Sequence, residues 1–439
     1  MLSIIIILLL SILTVIYLIF TNNFNPTEGD GLIYSLYLPS VLIYQDLDLQ
    51  FIYKFIAPEI IEHFCIYKYI KYSYGCALLQ SPFFILAHLI TIITNKNLAN
   101  GFSFNYLLFY QISCMFYFAI GLILNYKILS KFVSKVNAQI ALIAITFGTG
   151  LFYYCSVEST MSHIYSYFSI TLFIYFLCKF KLQELKPSQY FVLGLILGLS
   201  SIVRNINILV FILFLFFDIN SFRDFKERII SFFKLKNFIY FSLGFMLLFA
   251  PQMLYWYNRT GYFLIFSYRP EFYIPDYPLK HDYDIFYFHR PLIIDTLFSI
   301  KKGLFVYYPV LLFSIFGLKN YCKKFVSFKI ALPIFLLVIL YLYSCFDGWH
   351  AGGSYGNRFY LDYMLLFSIL IASYFEYISV NFSKKLYFFN IIILVAFILF
   401  AVYFNYLFFL GYSDEYGSFD FYIYDKLNLI FDYVKNLFH

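Results

Sequence analysis

The stretch FSFNYLLFYQISCMFYFAIGLILNYKILSKFVSK, residues 102–135, holds a charge-free, mainly apolar run from Phe102 to Leu124, followed by Lys127, Lys131 and Lys135. About 20 apolar residues are needed to carry an α-helix across a bilayer, and lysines gather at the cytoplasmic end of such a helix. Read this way, the stretch is a membrane span entering the cytoplasm at its C-terminal end. Every other apolar run in the chain takes its sense from it.

Composition agrees with that reading. Hydrophobic residues make up 62% of the 439 and charged residues 13%, against roughly a quarter charged in soluble domains. Further runs cover Met1–Phe20, Ala138–Tyr154, Met161–Leu177, Phe238–Tyr255, Gly303–Leu318, Ile330–Phe346, Phe359–Tyr377 and Leu386–Phe408. The run between Gln189 and Phe217 is interrupted by Arg204-Asn205 and has basic residues beyond both ends, which predicts a hairpin turning at Arg204. The expected fold is therefore an all-α polytopic bundle of about eleven transmembrane helices. Met1–Phe20 lacks a basic n-region and a small-residue cleavage site, so it is expected to stay as the first span.

Five basic clusters fall on one side: Lys127/Lys131/Lys135, Lys179/Lys181/Lys186, Arg223 to Lys236, Lys319 to Lys329, and Lys384/Lys385. They hold more than half of the 31 Lys and Arg, while most of the 24 Asp and Glu lie on the other side. The positive-inside rule makes the first side cytoplasmic. With that parity Cys76–Ile93 cannot cross, because every later loop would invert, so it is expected to lie as an interfacial helix on the outer face, as is Ile33–Tyr44. The first outer loop then spans 21–101, a second large one 257–302, and an amphipathic outer tail 409–439. The net charge of +7 is dispersed among these short clusters, which speaks against nucleic acid as a partner. The seven cysteines form no CxxC pair; Cys65 and Cys76 share the first outer loop, and their spacing leaves a disulfide open.

Chemistry-bearing residues collect in the outer segments. Pro26-Thr27-Glu28-Gly29-Asp30-Gly31 places two carboxylates just past the first span, either as a proton acceptor or as acids favoured at a helix start. Asp46-Leu47-Asp48, Lys71-Tyr72-Ser73-Tyr74-Gly75 and Leu78-Leu79-Gln80-Ser81-Pro82-Phe83-Phe84 follow. Later come Ser159-Thr160-Met161-Ser162-His163, Gly194 to Arg204 (GLILGLSSIVR), Pro251-Gln252, Lys302-Gly303-Leu304-Phe305 and Gly348-Trp349-His350-Ala351-Gly352-Gly353-Ser354-Tyr355-Gly356-Asn357-Arg358.

In order and placement these motifs resemble bacterial polytopic glycosyltransferases of the GT-C fold. These are relatives of protein O-mannosyltransferases and the lipid A aminoarabinose transferase, including the group that decorates lipopolysaccharide cores. The resemblance covers nearly the whole chain and implies one GT-C-like transmembrane domain over 1–439. It also implies an inverting transfer of one sugar from a polyprenyl-phosphate donor to a glycan, lipid or protein acceptor, at the outer face of the cytoplasmic membrane. The family's catalytic base matches Asp30, with Glu28 as the fallback, although the family's adjacent Asp-Glu pair is here split by Gly29.

Arg358 closes a glycine-rich segment whose backbone can approach a ligand, and its planar fork suits a lipid phosphate. Lys71, Arg204 and Lys302 are weaker phosphate candidates, each equally readable as an interfacial anchor. His163 matches the family's Ser-His position, more naturally as a structural histidine. Trp349 and His350 are candidates to contact a sugar, against an interfacial-aromatic reading. His281, Asp282, Asp284 and His289 have ligand-like chemistry without a recognised metal spacing, so no cofactor is assigned and a divalent metal stays an open alternative. The competing functions are a lipid-linked sugar flippase or transporter, and a polysaccharide polymerase or ligase. Transporters place ionisable groups in mid-membrane, where this chain has almost none.

Overall fold

The computed structural model describes residues 2–27, 29–55, 69–266 and 285–409. Glu28, Cys65, His281, Asp282, Asp284 and the tail from 410 on lie outside the described residues. Helices dominate the described residues, and among these a single β-bridge pairs Phe286 with Phe346. The main elements are α1 (Leu2–Phe20), α2 (Asp30–Ser35), α3 (Gly75–Asn95), α4 (Phe104–Leu129), α5 (Lys135–Phe147), α6 (Ser162–Lys179), α7 (Pro187–Val203), α8 (Phe211–Phe216), α9 (Phe222–Phe233), α10 (Leu235–Thr260), α11 (Ala331–Cys345), α12 (Met364–Asn381) and α13 (Lys384–Phe409). Among the described residues seven helices are long and apolar enough to cross a membrane, which makes this an all-α protein of membrane character.

The chain divides into two compact units. The first comprises Met1–Ile128, Tyr153–Tyr283 and Ser327–Phe335; the second comprises Leu129–Phe152, Asp284–Val326 and Leu336–His439.

In the first unit α7 and α10 lie in close contact. Gly194 and Gly198 form a Gly-x-x-x-Gly pair: a Cβ at Gly194 would collide with the Phe241 carbonyl, and one at Gly198 would come within 2.7 Å of the Phe245 carbonyl. Small residues at this spacing let two backbones approach where no water is available to drive association. The chain turns back at Arg204, as expected, and α8 returns beside α7 with the Phe214 ring 6.3 Å from Tyr190.

Helix α3, which runs over almost the same residues as the expected interfacial helix, is itself among the seven by length and composition. It packs antiparallel on the first half of α4, from Asn105 Nδ2 donating to Thr91 Oγ1 at 3.0 Å to the Phe83 ring 6.2 Å from Tyr117.

In the second unit two expected spans are interrupted. Ala138–Tyr154 breaks between α5 and the turn Leu151–Ser156. Gly303–Leu318 breaks at Tyr308-Pro309 into Leu304–Tyr307, a 3₁₀ turn Pro309–Leu311 and Leu312–Gly317. Pro309 lacks the N–H that would continue the helix and pushes Tyr308 out of helical geometry, to φ −123°. The two breaks meet, since Gly148 leaves room for Val310. At the other end of α5, the Glu376 carboxylate of α12 accepts from Ser134 N (2.9 Å) and Asn137 Nδ2 (2.8 Å), with Lys324 Nζ 3.9 Å away. Glu376 thus holds Ser134, whose hydroxyl caps α5 by accepting from Asn137 N at 3.3 Å.

Candidate functional site

In the first unit, Asp30 is the first residue of α2, half-buried, and follows Gly29, whose φ of +59° only glycine adopts without strain. The turn carrying it is strapped to the Ser159–His163 segment. Thr160 Oγ1 donates to the Pro26 carbonyl at 2.6 Å, Thr160 N donates to the same oxygen at 3.3 Å, and Gly31 abuts the Thr160 side chain so closely that a Cβ would not fit.

Three residues beyond Thr160, buried His163 receives Arg204: Nη1 donates to Nδ1 at 3.2 Å. A guanidinium has no acceptor, so this bond requires Nδ1 to be the unprotonated nitrogen of the ring, which places the neutral ring's proton on Nε2. The Tyr154 ring packs 4.9 Å from the imidazole. The turn at Arg204 also gathers the Lys71–Gly75 segment. Ser73 Oγ donates to Asn205 Oδ1 at 2.9 Å, and Gly75 meets the backbone of Ile202. Asn207 Nδ2 donates to Ser166 Oγ at 2.9 Å and holds α6 to the same turn.

A tyrosine network completes the assembly. Tyr34, one turn after Asp30 on α2, stacks on Tyr72 at 4.3 Å and 12°, and the Lys71 ammonium lies 5.8 Å from the Tyr72 ring centroid. Tyr37 Oη donates to the Tyr72 carbonyl at 2.9 Å. Gln252, which follows Pro251 within α10, accepts from Tyr74 N at 2.9 Å, while the Tyr74 hydroxyl donates to the Leu248 carbonyl at 2.6 Å. Burial pushes the Tyr74 hydroxyl up to about 12 and Tyr37 well above the ordinary phenol value, so both remain hydrogen-bond donors at physiological pH. Thus Asp30, Lys71, His163 and Arg204, chosen from separate motifs, belong to one linked polar assembly. Tyr34, Tyr37, Tyr72, Tyr74, Ser73, Asn205 and Asn207 were not singled out individually from the sequence as parts of it.

The second unit holds the glycine-rich segment. Ala351, Gly352 and Gly356 have φ of +64°, +61° and +57°. Lys302 is fully buried beneath it, and its ammonium donates to the Gly352 carbonyl (3.0 Å), the Ser354 carbonyl and Ser354 Oγ (3.3 Å). These contacts hold the ammonium against the loop backbone, which makes Lys302 a brace for the loop. Tyr308 Oη donates to the Tyr355 carbonyl at 2.9 Å, and Asn357 Nδ2 to the Trp349 carbonyl at 3.1 Å. Trp349 is nearly buried, edge-on to His350 at 5.9 Å and 88°. Arg358 is half-buried at the head of the 3₁₀ turn Arg358–Tyr363.

The Asp-Leu-Asp element has a local explanation. The Asp46 carboxylate accepts from Asp48 N (2.8 Å) and Phe51 N (3.1 Å), and Asp48 pairs with Arg259. Among the described residues no three His, Cys, Asp or Glu side chains are grouped to hold a metal ion.

The chain matches no protein-family model, and neither the characterised proteins nor the solved structures include a significant match to it. Fold and site together define an all-α protein of membrane character whose first unit ties an acid-bearing turn to an Arg-His pair.

Proposed function

We propose that this protein is an inverting GT-C-type glycosyltransferase, taking a sugar from a polyprenyl-phosphate donor at the outer face of the cytoplasmic membrane. In this reading the chain crosses about eleven times, with the Ile33–Tyr44 segment and α3 at the outer interface. For α3 the placement rests on the cytoplasmic side assigned to Lys127, Lys131 and Lys135, since the helix itself packs antiparallel along α4 and is long and apolar enough to cross.

The observation that carries the proposal is the strap from Thr160 to Pro26, which seats the Asp30 turn on the segment whose His163 receives Arg204. It joins three of the motifs that produce the family resemblance, and it holds a carboxylate in a fixed turn, as a general base requires. Asp30 takes the proton of the acceptor hydroxyl, whose oxygen attacks the anomeric carbon. The bond from that carbon to the phosphate oxygen breaks, and the lipid phosphate leaves with the bonding electron pair. Cationic side chains stabilise that anion; in the first unit Arg204 and Lys71 are the candidates.

The test is transfer from a radiolabelled polyprenyl-phosphate sugar in proteoliposomes. Asp30→Asn is expected to lose on the order of 10²–10⁴-fold in rate, and Lys71→Ala to lower transfer. Full transfer by Asp30→Asn removes the base from the mechanism. Uptake of the lipid-linked sugar without glycosidic-bond formation would identify a flippase instead.

A further inference from the structure

Helix α9, FRDFKERIISFF, has more apolar surface than its packing uses. One face, at the spacing 225, 228, 232, is docked on its own unit. Phe225 stacks on Phe216 at 5.1 Å, Phe232 touches Tyr190, Phe211 and Phe241, and buried Arg228 donates to the Phe214 and Phe217 carbonyls at 2.7 and 3.2 Å. A second face, at 222, 226, 230, 233, lies bare: Phe222 is 80% exposed, Ile230 52% and Phe233 63%, with exposed Lys226 among them. These four positions follow helical spacing and form one stripe.

The charges around the stripe are unequally committed. Asp224 caps the helix by accepting from Asn220 N and Ser221 N, and Glu227 pairs with Arg223 at 2.8 Å. Lys226, Lys234 and Lys236 are exposed and have no hydrogen-bond or ion-pair partner among the described residues. Across the break at Lys234 the Phe233 ring stacks on Phe238 at 5.8 Å, and Leu235, Phe238 and Ile239 are exposed at the start of α10, which is long and apolar enough to cross a bilayer.

We infer that this second face of α9 binds anionic phospholipid: Phe222, Ile230 and Phe233 enter the acyl boundary while Lys226, Lys234 and Lys236 take headgroup phosphates. Bare aromatics beside unpaired lysines are the pattern of a helix lying in the membrane interface, and a lysine stem can run along apolar surface with its ammonium at phosphate depth. Each such lysine adds attraction to an anionic surface. A protein partner fits less well, since lysine is depleted at the centres of protein interfaces and would sit mid-stripe here. The inference is independent of the proposed enzymatic activity.

The test uses the full chain in nanodiscs, with its two tryptophans silenced by Trp256→Phe and Trp349→Phe. Phe222→Trp and Phe233→Trp report on the stripe, and Glu227→Trp serves as the reference. Brominated-chain phosphatidylglycerol should quench positions 222 and 233 several times more strongly than brominated-chain phosphatidylcholine at the same mole fraction, while acrylamide quenches position 227. Lys226→Gln/Lys234→Gln/Lys236→Gln should remove the preference for phosphatidylglycerol and keep the quenching. Acrylamide access to 222 and 233 equal to that at 227, shielding of these positions from both bromolipid and acrylamide, or equal quenching by the two lipids before the lysines are changed would overturn the inference. If silencing both native tryptophans prevents folding, the same differences are read against the unmodified chain.

Discussion

Thr160 donates its hydroxyl to the carbonyl of Pro26 at 2.6 Å, across 134 positions of sequence, and thereby fixes the turn that carries Asp30. Gly31 lies against the same threonine with no space for a Cβ. The pairing makes the position of the carboxylate depend on a residue near the start of α6.

Gly31→Ala should therefore destabilise the first unit by about 1–3 kcal/mol, the usual effect of overpacking. Thr160→Ala should cost about 1 kcal/mol through the lost hydrogen bond. Because the clash requires the threonine Oγ1, the double variant should be more stable than the sum of the single effects implies. Thermal unfolding of the four proteins in detergent measures the coupling, and strict additivity would show that the two residues do not meet.

Lys302→Met should loosen the glycine-rich segment, leaving the Gly352 and Ser354 carbonyls without their buried donor at about 1–3 kcal/mol. Amide hydrogen exchange over residues 348–358 should accelerate about tenfold or more, as 1.4 kcal/mol corresponds to a factor of ten. Unchanged exchange there would mean that the loop holds itself.

Gly198→Leu should separate α7 from α10, since the Phe245 carbonyl occupies the space a side chain would need. A loss of about 3 kcal/mol or more is expected for a backbone contact that cannot yield, against about 1 kcal/mol for Leu197→Ile on the same helix. Thermal unfolding compares the two.

The tyrosine network carries a pH dependence. Burial raises Tyr74 from 10.0 to about 12, so its neutral hydroxyl contributes full stability below about pH 10 and loses it as pH rises through about 12. Thermal stability should fall across that interval, and less steeply in Tyr74→Phe, which should already be weaker by about 1 kcal/mol at neutral pH. Equal alkaline slopes would show that the Tyr74 to Leu248 bond does not govern the transition.

Some of this architecture is legible along the chain. Apolar runs mark the long helices because a bilayer admits only segments that satisfy their own backbone, a requirement met within one stretch of sequence. The hairpin at Arg204 shows as a charge in an otherwise apolar run, and the break at Pro309 follows from a missing N–H, although hydropathy runs on across it from Gly303 to Leu318.

Lys302 marks the limit. As a symbol it is one of several lysines near apolar segments, and phosphate binding was a fair expectation; only the fold buries it and turns the Gly352 and Ser354 carbonyls toward it. The Tyr34 to Tyr72 stack was equally hidden among 46 tyrosines, because no local pattern distinguishes a ring that meets a partner 38 positions away. Sequence alone thus determined the helical, membrane-suited character of the protein, a matter of hydrophobicity and backbone satisfaction. Tertiary structure alone decided which polar side chains meet and which of them serve the scaffold, because burial and proximity between distant residues arise only when the chain is packed.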